Sequence, residues 1–285
     1  MNPIKQTRVV INPDGEKIIQ WYLTPNYKFT TPINFYIDWA RSGGDWIELT
    51  GPLSNLCTYT DTEKYNWNKD RDLYYRIRFT DSGGSEVVGA PVKAGDGFLS
   101  KHDYLLYREM LRKECLLLDK FTGMKGEFLR RKHWGTPCPI CLDFDTEQVT
   151  NGSCPQCFGT GFVGGYYPAI KLAVSEVQLP KTKKTNDKGG LGTMDDKARV
   201  VRTLACPMQD SFDIWTHYGS NDRYVITDVD PVSSYNGIPI AVHLSLKKLP
   251  YTDIVYETPV DVRSQEDEIT PGLDNGWRPN LDDDY

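Results

Sequence analysis

Two closely spaced pairs of cysteines constrain this chain more than any other feature of its sequence. The segments Cys138-Pro-Ile-Cys141 and Cys154-Pro-Gln-Cys157 are separated by twelve residues. A C-x-x-C pair places two thiols on one tight turn, and two such turns can hold four thiolates at the corners of a tetrahedron around zinc, with Zn–S distances of about 2.3 Å. The glycines that follow, Gly159 and Gly161, can adopt the positive φ with which the backbone leaves such a turn. The spacing therefore predicts a four-cysteine zinc-binding segment over residues 135–166.

The expected role of this metal is in folding rather than in catalysis. Four protein thiolates leave no coordination position open for water, so a catalytic zinc is not expected. A bound zinc ion can supply about 10–16 kcal/mol to a segment that is too small to form its own core. Two disulfides or four unligated cysteines are the alternatives, and neither accounts for the repeated C-P-x-C pattern. The predicted ligands of the structural Zn2+ ion are Cys138, Cys141, Cys154 and Cys157.

The remaining cysteines fit a reducing environment. The chain has seven cysteines, and an odd number does not suit a disulfide framework. The first residues contain no apolar stretch of the kind that a secretory signal needs, so the cytoplasm is the expected place of synthesis. Cys57, Cys115 and Cys206 are each isolated in the sequence and are expected to be buried as small hydrophobic residues.

Residues 1–95 show the two-residue alternation of antiparallel strands. In the clearest run, Tyr75, Ile77 and Phe79 lie on one face of a strand, and tyrosine and arginine side chains lie on the other. Short strands with aromatic inner faces and frequent turns are typical of a β-sandwich. The order of the strands and the central Trp39 make this segment resemble a fibronectin III or immunoglobulin-like domain.

Residues 96–134 are expected to form a linker and one long helix. Ser100, with Asp103 three residues later, is typical of a capped helix start, and Gly123 is expected to end the helix at the C′ position. Two apolar stripes follow the helical period. The first contains Tyr104, Tyr107, Leu111, Cys115 and Leu118, and the second contains Leu106, Met110, Leu117 and Phe121. Two stripes predict a helix that packs on more than one side, against its own domains or against a neighbouring copy.

Alternating apolar residues return after the cysteines, and residues 167–260 are predicted to form a small β-barrel-like domain. A polar, glycine-rich loop over residues 180–199 interrupts it, and loops of this length are usually functional or mobile. Asp228 and Asp230 are placed in a turn before Pro231, where aspartate is common. The predicted fold class is mainly β, with an N-terminal sandwich, one long helix, a four-cysteine zinc ribbon and a C-terminal barrel.

The negative charge of the chain is concentrated near its C-terminal end. The formal net charge is −6, and residues 261–285, with eight acidic and two basic residues, carry all of it. They are predicted to form an acidic, extended tail. The neutral remainder argues against a dedicated nucleic-acid-binding protein. The dense basic run Arg130-Arg131-Lys132-His133 can either offset the charge of a zinc–thiolate centre or contact phosphate, and the first interpretation is preferred.

No combination of residues predicts a catalytic site. The chain has no phosphate-binding loop, serine-hydrolase elbow or zinc-protease motif. Its histidines are scattered along the sequence, at His102, His133, His217 and His243. It also has no run of about 18 apolar residues, so no membrane span is expected. An enzyme and a membrane protein are therefore not expected.

The residues around the cysteines and the last strands can be compared with known families as one unit. The cysteine region runs from His133-Trp-Gly-Thr-Pro137 through both pairs to Phe162-Val-Gly-Gly-Tyr166, and a later segment reads Tyr224-Val-Ile-Thr-Asp-Val-Asp230. Over residues 98–260 the chain resembles virion structural proteins of tailed bacteriophages. The resemblance implies a head-to-tail neck, connector or collar subunit in a ring of six or twelve copies. It also implies portal, neck or tail proteins as partners, proximity to packaged DNA, and a virion assembled in the bacterial host cytoplasm.

Two other functions remain open at the level of sequence. One is a binding module that uses the N-terminal sandwich to recognise a host surface or a glycan, with Trp46 and Trp67 as an aromatic platform. The other is a zinc-ribbon protein that binds nucleic acid through Arg130, Arg131 and Lys132, for which salt-dependent binding is the expected signature.

Overall fold

A computed structural model of the chain describes most of its residues. The described ranges are 4–24, 34–54, 56–80, 84, 86–95, 98, 100–143, 146, 148–177, 199–206 and 208–259. The polar loop predicted over residues 180–199 lies outside these ranges except for Arg199, and the tail predicted over residues 261–285 lies wholly outside them. Within the described residues the fold is mainly β with one long helix and a four-cysteine cluster, which confirms the coarse fold class.

The first eight strands form two antiparallel sheets. One sheet has the order β1-β2-β5, and the other has the order β4-β3-β6-β7, with β8 also paired to β6. The strands are β1 Ile4–Ile11, β2 Lys17–Leu23, β3 Asn34–Arg41, β4 Ile47–Ser54, β5 Thr58–Asp61, β6 Leu73–Thr80, β7 Glu86–Val88 and β8 Val92–Lys93. A single helical turn, α1 Trp67–Asp70, connects β5 to β6.

The inner faces of these two sheets share one hydrophobic core. Trp21 from β2 packs against Phe35 from β3, with ring centroids 5.3 Å apart. The alternation predicted for β6 is confirmed, because Tyr75, Ile77 and Phe79 are buried and the residues between them are half-buried. Aromatic side chains bury large areas, so they account for much of the stability of this core.

The long helix, α2 Lys101–Leu116, begins as the sequence predicts. The Ser100 side chain accepts a hydrogen bond from the Asp103 amide, and the Asp103 carboxylate accepts one from the Ser100 amide at 2.9 Å. This reciprocal capping box satisfies two amides that would otherwise lack partners. Residues of the first apolar stripe, such as Tyr104, Tyr107 and Leu111, pack onto the core of the N-terminal sheets.

The second apolar stripe of the helix is exposed to solvent. Leu106 is 41 % exposed, Met110 is 38 %, Leu117 is 39 % and Phe121 is 74 %. The sequence leaves open whether the chain's own domains or a neighbouring copy cover this stripe. The described part of the chain does not cover it. The four side chains, which we call the helix stripe, form an apolar surface that the described part of the chain leaves exposed.

The helical segment ends at Gly123, as the sequence predicts, but its last turn is not α-helical. A π-helical turn, Leu117–Thr122, continues α2, and Gly123 follows with φ −79° and ψ 129°. Gly123 is therefore extended rather than in the left-handed conformation that is common after a helix. Glycine is required here for another reason, because a Cβ atom at this position would overlap the Leu118 carbonyl oxygen.

This close approach predicts a large effect for Gly123→Ala. The added methyl group must displace the backbone of the π-helical turn, and we expect a loss of about 3 kcal/mol in the free energy of unfolding. Urea denaturation of the full chain measures it. Gly152→Ala is the matched control, because a Cβ atom there meets nothing within 4 Å. Equal effects of the two substitutions would contradict the explanation.

The remaining strands form a second large sheet and a small hairpin. They are β9 Gly126–Leu129, β10 Leu142–Asp143, β11 Gln148–Val149, β12 Ile170–Lys171, β13 Ser175–Glu176, β14 Arg199–Leu204, β15 Ile214–His217, β16 Arg223–Tyr235 and β17 Ile238–Lys248. Strands β10 and β11 pair only with each other, and the other seven form an antiparallel sheet with the order β12-β9-β15-β16-β17-β14-β13. Its core includes Phe128, Trp215 and Leu244.

One short stretch of chain connects both ends of this sheet. Strands β12 and β13 follow one another within residues 170–177. Between them, Val174 exchanges backbone hydrogen bonds with Met124 just before β9, at 2.7 and 2.9 Å. Ser175 then pairs with Arg202 of β14. The same stretch therefore hydrogen-bonds to the β9 end of the sheet and to the β14 end.

The hairpin of β16 and β17 is longer than the sequence suggests. Asp228 and Asp230 lie inside β16, paired with Ser245 and His243, so the predicted turn before Pro231 is wrong. Pro231 is accommodated in the strand because the pairing register shifts immediately after it, and proline is tolerated in strands at such irregularities. The turn occurs further along the chain, at residues 236–237.

Candidate metal centre

The four predicted ligands come together in one buried cluster. The Sγ atoms of Cys138 and Cys154 are 3.7 Å apart and those of Cys141 and Cys157 are 3.0 Å apart. All four sulfur atoms lie within 4.8 Å of one another. Bonds of about 2.3 Å in a tetrahedral site place sulfur atoms about 3.8 Å apart. The cluster is therefore compatible with one metal ion, and no cysteine of the chain forms a disulfide.

Local backbone hydrogen bonds shape the two turns that carry the cysteines. In the first turn the Leu142 amide donates to the Cys138 carbonyl at 3.2 Å, and in the second the Phe158 amide donates to the Cys154 carbonyl at 2.8 Å. The hairpin of β10 and β11 joins the turns, and the Thr150 amide closes it by donating to the Cys141 carbonyl at 2.7 Å. Both pairs thus sit on tight turns, as the spacing predicts.

The glycines after the second pair have the predicted role. Gly159 has φ +74° and Gly161 has φ +85°, a region that residues with a Cβ atom rarely adopt. Space is a further reason at Gly159, because a Cβ atom there would lie 2.6 Å from the carbonyl oxygen of Gly152. The chain therefore leaves the second turn in a direction that returns it to the large sheet.

The cysteine segment is an insertion between two paired strands. It leaves the sheet after β9 and returns at β12, and these two strands pair with each other. Their antiparallel contact continues beyond the sheet, since the Lys132 amide donates to the Gly165 carbonyl at 3.0 Å and the Cys138 amide donates to the Gly161 carbonyl at 2.9 Å. Backbone hydrogen bonds thus connect the cluster directly to the C-terminal sheet.

The electrostatic surroundings differ among the thiols. Backbone amides of Gln156 and Cys157 donate to the Cys154 thiol and lower its pKa to about 7. Burial raises the pKa of Cys141, and the neighbouring cysteines raise it further. The thiolate is the form that binds a metal. By stabilising the Cys154 thiolate, the amides of the second turn favour metal binding at this cysteine.

Two of the four residues in the basic run before the cysteines are buried. Arg130 is 4 % exposed and Lys132 is 5 % exposed. The Lys132 Nζ atom donates to the Val163 carbonyl at 2.9 Å, and the Arg131 side chain donates to the Gly159 carbonyl at 3.3 Å. Arg131 and Lys132 therefore place positive charge beside the second turn, while Arg130 points to the N-terminal sheets, where its side chain contacts Cys57.

The other residues that the sequence highlights do not converge on this cluster. His217 contacts Ser220, with 3.1 Å between Nδ1 and Oγ, and His243 lies in the middle of β17. Trp46 is covered by the Arg76 guanidinium, 4.3 Å from its ring centroid. The cysteines Cys57 and Cys115 are buried as predicted, and Cys206 is half-buried.

Some residues that share a buried pocket carry no sequence signal. Tyr22, Cys57 and Tyr167 are far apart in the sequence, and no motif or periodicity links them. The fold brings them around Arg130 in one small cavity. The one sequence signal for this cavity is Arg130 itself, a charged residue directly after the buried strand β9.

Comparison with known proteins does not indicate a function, so the arrangement of the residues described above is the guide to it. Among the helices within the described ranges, none is long and apolar enough to cross a membrane. No family model, curated protein or solved structure matches this chain at a significant level.

Proposed function

We propose that the chain is a structural, non-catalytic subunit of a tailed-phage virion. It joins head and tail as part of a neck, connector or collar ring of six or twelve copies, with portal, neck or tail proteins as neighbours. The observation that carries this proposal is the helix stripe of Leu106, Met110, Leu117 and Phe121, because several exposed apolar side chains along one helix indicate an interaction site. The resemblance of residues 98–260 supplies the viral context and the location in the virion.

We infer that the bound metal is Zn2+ and that it serves folding. Four thiolates are a donor set that zinc prefers. All four cysteines are buried and all four are used, so no position is left for a substrate or a water molecule. Metal analysis of the purified, reduced chain tests this identity, and one zinc per chain is expected.

Two finer features of the architecture belong to this proposal. The strand orders β1-β2-β5 and β4-β3-β6-β7 support an immunoglobulin-like sandwich. A constant-type domain has strands one, two, four and five in one sheet and three, six and seven in the other, so only the fourth strand differs here. The double pairing of residues 170–177 supports closure of the second sheet into a small barrel. Rigid units of this kind suit a ring subunit.

Assembly through the helix stripe predicts the effect of Phe121→Lys. A lysine at the most exposed apolar position adds a charge that must be desolvated in any interface there. We expect the concentration at which the full chain assembles to rise at least about tenfold, as measured by light scattering coupled to size-exclusion chromatography. Ile47→Lys is the matched control, because Ile47 is also exposed but lies in the N-terminal β4. A wild-type chain that stays monomeric at all accessible concentrations would contradict self-assembly.

One observation favours the binding module as a second candidate. A cavity of about 360 Å3 lies at one end of the N-terminal sheets, where Trp67 is accompanied by three cations, Arg41, Lys69 and Arg71, and by one carboxylate, Asp72. An aromatic ring among cations suits an acidic glycan. Glycan-array binding by the full chain that disappears with Trp67→Ala would favour this function. The nucleic-acid alternative has less support, because the side chains of Arg130 and Lys132 are buried.

A further inference from the structure

A small cavity lies where the N-terminal sheets, the basic run and the C-terminal sheet meet. Its volume is about 100 Å3, and its lining includes residues of β2, Cys57 before β5, Arg130, Trp134 and Tyr167. This space is separate from the cysteine cluster. It is large enough for a few atoms and too small for a nucleotide or a sugar.

The floor of the cavity holds a buried cation. The Arg130 guanidinium stacks 3.7 Å from the centroid of the Tyr22 ring, and one of its nitrogens, Nη1, donates to Cys57 Sγ at 3.3 Å. Among the described residues, no carboxylate forms an ion pair with it. Arginine stays charged at all relevant pH values, and a buried charge without a counter-ion is strongly unfavourable.

Further hydrogen-bond donors in this region have no partner. The Tyr22 and Tyr167 hydroxyls and the Trp21 indole Nε1 atom are buried, and none of them has a hydrogen-bond partner in the described part of the chain. All three side chains line the cavity. A buried polar group that makes no hydrogen bond costs about 1–3 kcal/mol, so three in one place indicate a missing acceptor.

The rim of the cavity adds positive charge. Lys5, Arg131 and His133 line it, against a single carboxylate, Asp210. Burial and the nearby Arg131 lower the pKa of His133, as expected where cations are in excess. Asp213 lies close by, and its carboxylate favours the charged form of Arg130, but burial raises the pKa of Asp213 to about 7 and its two oxygens already accept the amides of Arg131 and Asp210 at 2.8 Å each, so it compensates Arg130 only in part.

We propose that this cavity binds a small oxyanion, either a carboxylate or a phosphate group. Arginine and tryptophan nitrogens can only donate hydrogen bonds, so the occupant must accept several of them. A water molecule makes only about three hydrogen bonds in all and adds no negative charge beside Arg130. An oxyanion accepts several charge-assisted hydrogen bonds and neutralises the guanidinium at once. The inference does not depend on the proposed function.

Titration of the full, zinc-loaded chain with sodium phosphate and with sodium acetate tests the proposal. Sodium chloride at matched ionic strength is the reference, and calorimetry gives the dissociation constant. We expect saturable binding at one site per chain for at least one of the two probes. Binding of phosphate alone identifies a tetrahedral oxyanion as the natural occupant, and binding of acetate alone identifies a carboxylate. Absence of saturable binding for both probes would overturn the proposal.

Tyr167→Phe provides the decisive variant, because it deletes one unpaired hydroxyl and keeps the ring. Without an added oxyanion, its melting temperature should equal or exceed that of the wild type. With the bound probe, the order should reverse, and the dissociation constant should rise about tenfold or more. Tyr74→Phe on the outer face of β6 is the control and should change neither quantity. An unchanged dissociation constant in Tyr167→Phe would contradict the site.

Arg130→Gln addresses the counter-ion itself. It retains donors but removes the charge, so binding of both probes should be lost. If this variant does not fold, Tyr167→Phe still decides the question, because its hydroxyl makes no contact that folding requires.

Discussion

Cys154→Ser is expected to release the metal and unfold the cysteine segment, while the two N-terminal sheets and the seven-stranded C-terminal sheet remain folded. Serine cannot replace a thiolate as a zinc ligand. The three remaining thiolates would share a buried site with no metal ion to balance their negative charge. The segment has little core of its own beyond the four cysteines and Val149. Small zinc domains depend on the metal for most of their folding free energy, so removal of one ligand should be sufficient.

Hydrogen exchange followed by mass spectrometry gives the clearest measurement of this effect. Amide protection within residues 138–166 should fall by about a thousandfold or more, and zinc content should fall from one per chain to near zero. Protection in β2, β3 and β6 should stay unchanged, because their core lies elsewhere. Excess chelator should reproduce the same pattern in the wild-type chain.

Cys206→Ser is the matched control for the ligand substitution. Cys206 is half-buried and lies outside the cluster, so zinc content and protection of residues 138–166 should match the wild type. The account would be wrong if Cys154→Ser retained a full equivalent of zinc, or if both cysteine substitutions exposed the segment equally.

Features that depend on neighbouring residues were predictable from the sequence. The cysteine cluster follows from two short spacings, and the start of α2 follows from Ser100 and Asp103, whose mutual hydrogen bonds involve only one turn of helix. The buried alternation of β6 is equally local, because side chains of a strand alternate between its two faces.

Features that depend on distant partners were not predictable. Strand β9 lies in a segment expected to hold a linker and helix, yet it pairs with β12 and β15, which follow much later in the chain. The basic run divides in the same way, because Arg131 and Lys132 lie beside the second cysteine turn, as their position in the sequence suggests, and Arg130 does not. Arg130 turns the other way because β9 presents it to Tyr22 and Cys57 of the N-terminal half.

Contacts between the two halves explain why the helix has one buried stripe. Arg202 of β14 forms a two-point ion pair with Glu114 of α2, with N–O distances of 2.5 and 3.1 Å. At the other end of the helix, the Tyr235 hydroxyl donates to Asp103 at 2.9 Å. The C-terminal sheet therefore holds α2 at both ends, and the described part of the chain leaves the helix stripe exposed.

Asp61→Asn should strongly destabilise the N-terminal sheets. Lys17 is 1 % exposed, and its Nζ atom lies 3.3 Å from the Asp61 carboxylate, directly across the β2–β5 pairing. The Tyr75 hydroxyl donates to the same carboxylate at 2.6 Å, and burial and this bond keep the pKa of Tyr75 well above its usual value. Asn at position 61 would leave a buried lysine without a counter-ion, which costs about 3–5 kcal/mol.

A double-mutant cycle separates the charge effect from a simple loss of packing. Lys17→Met removes the cation, so the combination with Asp61→Asn should recover most of the stability that Asp61→Asn loses, as measured by urea denaturation. Glu176→Gln in the exposed Arg199 pair is the control and should have no measurable effect, because exposed ion pairs contribute little. Additive losses from the two substitutions would show that Lys17 and Asp61 act separately. Recovery would instead show that one buried ion pair holds the start of β2 against the end of β5, at the opposite end of this pairing from Cys57.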